Sequence, residues 1–331
     1  MDIVISHMTA LYLIRNSRFA YRPASSCELP CRTPTAEELR KAAAICPVLG
    51  ELTGPWGVLL ANKESSRSTK RLNVHVWSTR LPKGALVQVA PGIRCVSPAF
   101  LPMLVSSHLK PREMDLLLSE LMGLYAVCEK MPGGLAQRRR PLLTPDGLRE
   151  FMEALDGSWG KKKVRAALKT APALAASPLE AKLYLRATLS FAKGGYNMGR
   201  VVLNEPQEIE RLSIGTIKNR KPDLLFVGGE GGVCLDYMGS WHDSENQVRR
   251  DTQRRNELLA NGFTPYEIFK EQYDDLAYMD NLMLAIRENL GMPPVDESRE
   301  EAARRRRARH QLWKDLEHID MASWTRRADL R

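Results

Sequence analysis

Residues 222–238 read Pro222-Asp223-Leu224-Leu225-Phe226-Val227, then Gly228 to Gly232, then Val233-Cys234-Leu235-Asp236-Tyr237-Met238. Two short apolar runs around a glycine-rich turn predict adjacent buried strands. Each run carries one carboxylate, Asp223 at the entrance of the first and Asp236 inside the second. An unpaired carboxylate is costly in an apolar strand, so Asp236 points to a site. Pro222-Asp223 is also a common turn pair, but an acid leading straight into Leu-Leu-Phe-Val is less expected of a plain turn.

Working outward, Ser177-Pro178-Leu179-Glu180 opens a helix, with Ser177 as N-cap and Pro178 at the first helical position. Glu180 at N3 completes a capping box, a role it would fill without any site. Val201 to Leu203 and Ile209 to Leu212 are expected to pair as strands. A polar helix is expected from Ser244 to Ala260, ended by Asn261-Gly262, and a last strand from Thr264 to Phe269. The order over residues 177–269 is helix, strands, helix, strand. Arg220 and Lys221, just before Asp223, stand where a phosphate would meet them. Arg250 and Arg254 lie on the polar helix, where arginines commonly form a solvated face; Arg254 is also placed to pair with Asp251.

This order, with Glu180 in the first helix, Pro222-Asp223 on one strand and Asp236 thirteen positions later, resembles the PD-(D/E)XK nuclease superfamily. Asp236-Tyr237-Met238-Gly239-Ser240-Trp241-His242 is similar to the Glu-x-Asp-Gly-x-x-His signature of small domains related to very-short-patch repair (Vsr) endonucleases. Asp251-Thr252-Gln253-Arg254, with Leu258 and Gly262, matches the helix that follows in that family. The resemblance implies an α/β fold, a restriction-endonuclease-like αβα sandwich around a mixed central sheet. It also implies DNA as the partner and Mg²⁺ held by Asp223 and Asp236, supported by Glu180, with His242 assisting a water or leaving group. Such ions take oxygen ligands, keep several waters and lower the pKa of an attacking water. Two departures stand out. The third position, usually Lys, or Asp in the subgroup, is Met238, which neither binds Mg²⁺ nor transfers a proton; and Asp236 replaces the usual Glu. The alternative is therefore a catalytically inactive regulator that uses the same fold to bind DNA or a protein.

Residues 1–130 are expected to form a smaller α+β domain. It has a capped helix after Thr35, strands at Leu72 to Trp77, Ala85 to Ala90 and Ile93 to Val96, and helices from Pro98 to His108 and Pro111 to Val127. Ile5-Ser6-His7-Met8-Thr9-Ala10-Leu11 and Gly92-Ile93-Arg94-Cys95-Val96-Ser97-Pro98 loosely resemble bacterial abortive-infection type IV antitoxins, which implies a toxin-antitoxin setting and a protein partner for this half. Residues 131–176 are expected as a basic linker with two helices, 177–292 as the Vsr-like domain, and 293–331 as a basic helical tail. Cys27-x3-Cys31 lacks a second ligand pair at zinc-like spacing.

The chain has 331 residues and a formal net charge of +10, a balance that suits a polyanion. Six scattered cysteines fit a reducing compartment, and no apolar run reaches the ~20 residues of a membrane span. The expected location is cytoplasmic, with no membrane partner.

Overall fold

The computed structural model describes residues 1–16, 22–62, 67–210, 217–228, 231–238 and 245–326, with 245–251 known by their backbone only. The protein is mixed α/β and divides into two units, Met1–Lys169 with Asp320–Arg331, and Thr170–Ile319. No helix among the described residues is long and apolar enough to cross a membrane.

The first unit contains β1 (Ile3–Ile5), α1 (His7–Asn16), β2 (Arg22–Pro23), α2 (Ala36–Ile45), α3 (Pro47–Gly50), β3 (Trp56–Leu60) and β4 (Leu72–Val76). There follow β5 (Leu86–Ala90), β6 (Ile93–Val96), α4 (Leu101–Val105), α5 (Pro111–Leu121), β7 (Tyr125–Val127), β8 (Leu135–Gln137), α6 (Pro145–Ala154) and α7 (Lys161–Leu168). Its main sheet has the order β2-β5-β6-β1-β3-β4. The central strand β1 is parallel to β6 and antiparallel to β3, and its three side chains are fully buried. The helix expected from Pro111 to Val127 stops at Leu121, because Tyr125–Val127 pairs with Leu135–Gln137 instead. Thr35 and Glu38 form the capping box that starts α2.

The second unit opens with α8 (Pro178–Thr188), followed by β9 (Val201–Leu203), β10 (Gln207–Glu210), β11 (Ile217–Arg220), β12 (Leu224–Gly228) and β13 (Gly231–Tyr237). It closes with α9 (Glu245–Ala260), β14 (Phe263–Ile268), α10 (Lys270–Asp274), α11 (Leu276–Asn289) and α12 (Arg299–Glu317). The sheet order is β14-β13-β12-β9. β12 lies between β9 and β13 and is antiparallel to both, and β14 returns parallel to β13 after α9.

The expected pairing of Val201–Leu203 with Ile209–Leu212 is corrected. β9 pairs with β12, while β10 pairs with β11 as a separate ribbon. The cause is Asn204, whose positive φ of 51° turns the chain out of β9; its N–H donates to Pro222 O (3.1 Å). Asparagine tolerates this left-handed conformation better than most residues. Residues 211 and 212 of the expected strand lie outside the described residues.

Alternation along the strands divides the sheet's side chains between two faces. Leu225 and Cys234, paired in register, pack with Ile209 of β10 and Leu258 of α9. Leu224, Phe226, Val233 and Leu235 are buried on the other face. The Leu224–Leu235 register, continued by one pair, sets Asp223 opposite Asp236 on the α9 side.

Candidate functional site

Asp223 and Asp236 meet at the open end of the β12–β13 pair. The Asp223 N–H donates to Asp236 Oδ1 (2.9 Å) and the Tyr237 N–H donates to Asp223 Oδ2 (2.8 Å). Each carboxylate thus takes the place of a backbone carbonyl as the ladder ends, which fixes both side chains. Asp236 is 6% exposed.

Glu180 approaches from the start of α8. Its backbone N–H donates to Ser177 Oγ (3.1 Å), and Ser177 Oγ donates to Oε1 (2.9 Å). Glu180 Oε2 accepts from Ala176 N–H (2.8 Å) and from Asn204 Nδ2 (2.7 Å). Ser177 caps α8 as expected, but Glu180 does not close the expected capping box: its carboxylate accepts from the Ala176 N–H rather than from the Ser177 N–H, and Asn204 ties it to the strand ends. Asn204 is a site residue that pattern reading missed. Its only signal is an asparagine just past an apolar triplet, and turns use that residue for many purposes.

Burial raises the energy of ionised Asp223, and the charges of Glu180 and Asp236 add to it, so its carboxyl is pushed up to about 7. Glu180 is also shifted upward, first by burial, with Asp236 contributing. These couplings bring the three acids within electrostatic reach of one another. Arg254 from α9 provides compensation: its guanidinium sits 2.6 Å from Asp236 Oδ2. Arg254 is thus engaged by a tertiary partner rather than lying on a solvated face; the side chain of Asp251 lies outside the described residues.

Arg220, just before Asp223 in the chain, is engaged within the protein. It forms an ion pair with the buried Glu257 (2.8 Å), which also accepts from Gln253 Nε2 (2.9 Å). Lys221 is exposed. His242 and the side chain of Arg250 lie outside the described residues. Met238 follows β13, and its N–H still donates to Ile268 O (2.8 Å). Two positions past Asp236, it falls on the same face by alternation and is half-buried.

Among the described residues no group of three His, Cys, Asp or Glu side chains is arranged as a metal site. The donor chemistry at the strand ends nevertheless suits a hard cation. Two carboxylates face each other with a third behind them, and among the described residues the charge of Arg254 eases the ionisation of Asp223. Two carboxylates are enough for an ion that keeps most of its waters.

No family model matches the chain, and neither a curated protein nor a solved structure matches it.

Proposed function

We propose that the second unit is a nucleic-acid-processing module of the PD-(D/E)XK type, with the Vsr-like family as its nearest pattern and DNA as its substrate. The observation that carries this reading is the paired Asp223 and Asp236 at the ends of adjacent strands, with Glu180 behind them and a buried, raised Asp223. The order α8, three antiparallel strands, α9 and a parallel β14 supports a restriction-endonuclease-like sandwich.

In this reading Asp223 and Asp236 would hold Mg²⁺, which supplies charge for the phosphate oxygen and acidifies a bound water. The chain's own contributions are positional. The β12–β13 ladder fixes both aspartates, Asn204 and Ser177 orient Glu180, and Arg254 restrains Asp236. With its carboxyl near 7, Asp223 holds a proton through part of the neutral range when no cation is present. His242 is proposed, from the resemblance, to move a proton at the reacting water or leaving group. Lys221 and Arg250 are proposed to meet the phosphate backbone. The test is cleavage of supercoiled plasmid with Mg²⁺ and with EDTA. Nicking that requires Mg²⁺ and disappears in Asp223→Ala and Asp236→Ala is expected. An Asp223→Ala protein that cleaves as fast as wild type refutes the reading.

A second reading rests on the Arg254–Asp236 pair and Met238. Here the guanidinium takes the cation's place, and the unit is a regulator that binds DNA or a protein without turnover, in an antitoxin-like role. It expects salt-sensitive DNA binding in EDTA and no cleavage in any divalent metal.

A further inference from the structure

The four consecutive arginines at 304–307 belong to a seated helix. Ser298 and Glu301 form a capping box that starts α12, and Leu312 and Leu316 are buried. Arg305 stacks over Phe191 (4.2 Å) and pairs with Glu297 (2.8 Å). Arg309 pairs with Asp280 (2.8 Å) and lies over Tyr196 (5.5 Å). Gly194 lets the preceding turn approach α12 closely: a Cβ there would stand 2.3 Å from Ala308 O. Two of the arginines in this stretch, Arg305 and Arg309, are therefore structural and lock the helix's rotation about its axis.

That rotation determines where the others point. At 3.6 residues per turn, Arg304, Arg307, Gln311 and Lys314 form one row roughly 15 Å long, and Arg306 and His310 form the next. All six are exposed. Arg304, Arg306 and Arg307 make no hydrogen bond or ion pair with the described residues. Glu301 is held low mainly by the Ser298 N–H, with the Arg304 charge adding to it. The exposed acids of α12 are Glu300 and Asp315, and Asp315 is engaged by Gln311 (2.8 Å).

We propose that this face of α12 is a docking surface for the sugar-phosphate backbone of a nucleic acid, separate from the acid cluster. Arginine presents a planar fork of donors that matches phosphate. The outer rows carry no large apolar side chain, so the helix lacks what an interfacial membrane helix or a coiled-coil partner needs. The surface is rigid, because its inward arginines are already committed. The inference rests on the nucleic-acid reading above but not on turnover.

The experiment is fluorescence anisotropy of a labelled 30-base-pair duplex with the full chain in EDTA, from 50 to 200 mM salt. It compares wild type, the triple variant Arg304→Gln/Arg306→Gln/Arg307→Gln, and Lys162→Gln as a surface-charge control. Three lost phosphate contacts should reduce the slope of log K against log salt by about 2.7, at roughly 0.9 per contact. Affinity at 100 mM salt should fall at least tenfold, while Lys162→Gln, an exposed lysine of α7 in the first unit, binds as wild type does. Circular dichroism checks that the triple variant is folded, and the single charge reversal Arg307→Glu supplies an independent loss of affinity. An unchanged slope in the triple variant overturns the inference. So does equal or tighter binding of wild type to vesicles containing about one third phosphatidylserine, in competition with the duplex. A wild type that shows the slope change but never cleaves retains this surface and loses the hydrolase reading. A protein that cleaves with an unchanged slope does the opposite.

Discussion

Replacing Asp223 with Asn should stabilise the protein, and only above mildly acid pH. Asp223 is raised from 3.8 to about 7 by burial and by the charges of Glu180 and Asp236. Between those values the folded state binds more protons than the unfolded one, so unfolding free energy falls as pH rises. At 1.36 kcal/mol per pH unit, the ionised carboxylate costs the fold about 4 kcal/mol by pH 8. Asn at 223 keeps a carbonyl oxygen for the Tyr237 N–H and turns an amide donor toward the two remaining acids. The expected gain is about 2–4 kcal/mol at pH 8 and below about 1 kcal/mol at pH 4.5. Urea titrations at both pH values measure it. Hydrogen exchange at Leu225 and Cys234 assigns the gain to the β12–β13 pair, because a chain of two units need not unfold in one step. Millimolar Mg²⁺ at pH 8 should narrow the gap by stabilising wild type alone. A variant no more stable than wild type at pH 8 refutes the account of the acid cluster.

Other outcomes follow from buried charges and rings. Arg254→Met strands Asp236 and should cost about 3 kcal/mol; adding Asp236→Asn should restore most of it, and additive losses in that double-mutant cycle would contradict direct pairing. In the first unit, Arg15 Nη2 lies 2.6 Å from Glu120 Oε2, with side chains 2% and 0% exposed. Arg15→Met should therefore cost about 3–5 kcal/mol, read as a lowered Tm, and a Tm within two degrees of wild type would argue against it. His7 and His75 stack at 3.4 Å; burial holds His7 well below its usual range and pushes His75 down to about 4. Both then bind fewer protons folded than unfolded, so stability is complete above about 6.5 and is lost as pH falls toward 4, by about 3 kcal/mol for His75 alone. His75→Phe should flatten that acid limb in thermal melts, and an unaltered limb would show that the stack is not its source.

Local chemistry made much of the second unit legible. The apolar runs at 224–227 and 233–235 with glycines between them leave few alternatives to adjacent strands, and Ser177-Pro178 with Glu180 starts a helix unaided. Asp223 and Asp236 could be matched because strand alternation converts spacing into facing. Longer-range choices were not legible. Arg254 pairs with Asp236 of β13, and only the packing of α9 on the sheet brings the two together. Arg220 is taken by Glu257, 37 residues later. Asn204 gives no periodic signal, yet its left-handed turn decides both which strand β9 joins and what holds Glu180. In the first unit β1 spans three residues, too few for periodicity to register, and nothing local to the sequence signals the strand-to-helix turn at His7 (φ 52°) or its stack on His75.

Met238 concerns charge balance as much as chemistry. A lysine there would place an ammonium on the Asp236 face and help neutralise the acids. Methionine brings no charge there, and Asp223 is shifted upward first by burial and then by the charges of Glu180 and Asp236. A scaffold with nothing to bind at that point would be more stable with an amide at 223, by the margin worked out above. The retained cost is thus of the kind that functional sites carry. It is relieved by any cation that arrives at the strand ends, whether a metal with its waters or a basic group from a partner. Metal-dependent cleavage separates the two, because only the first supplies an activated water.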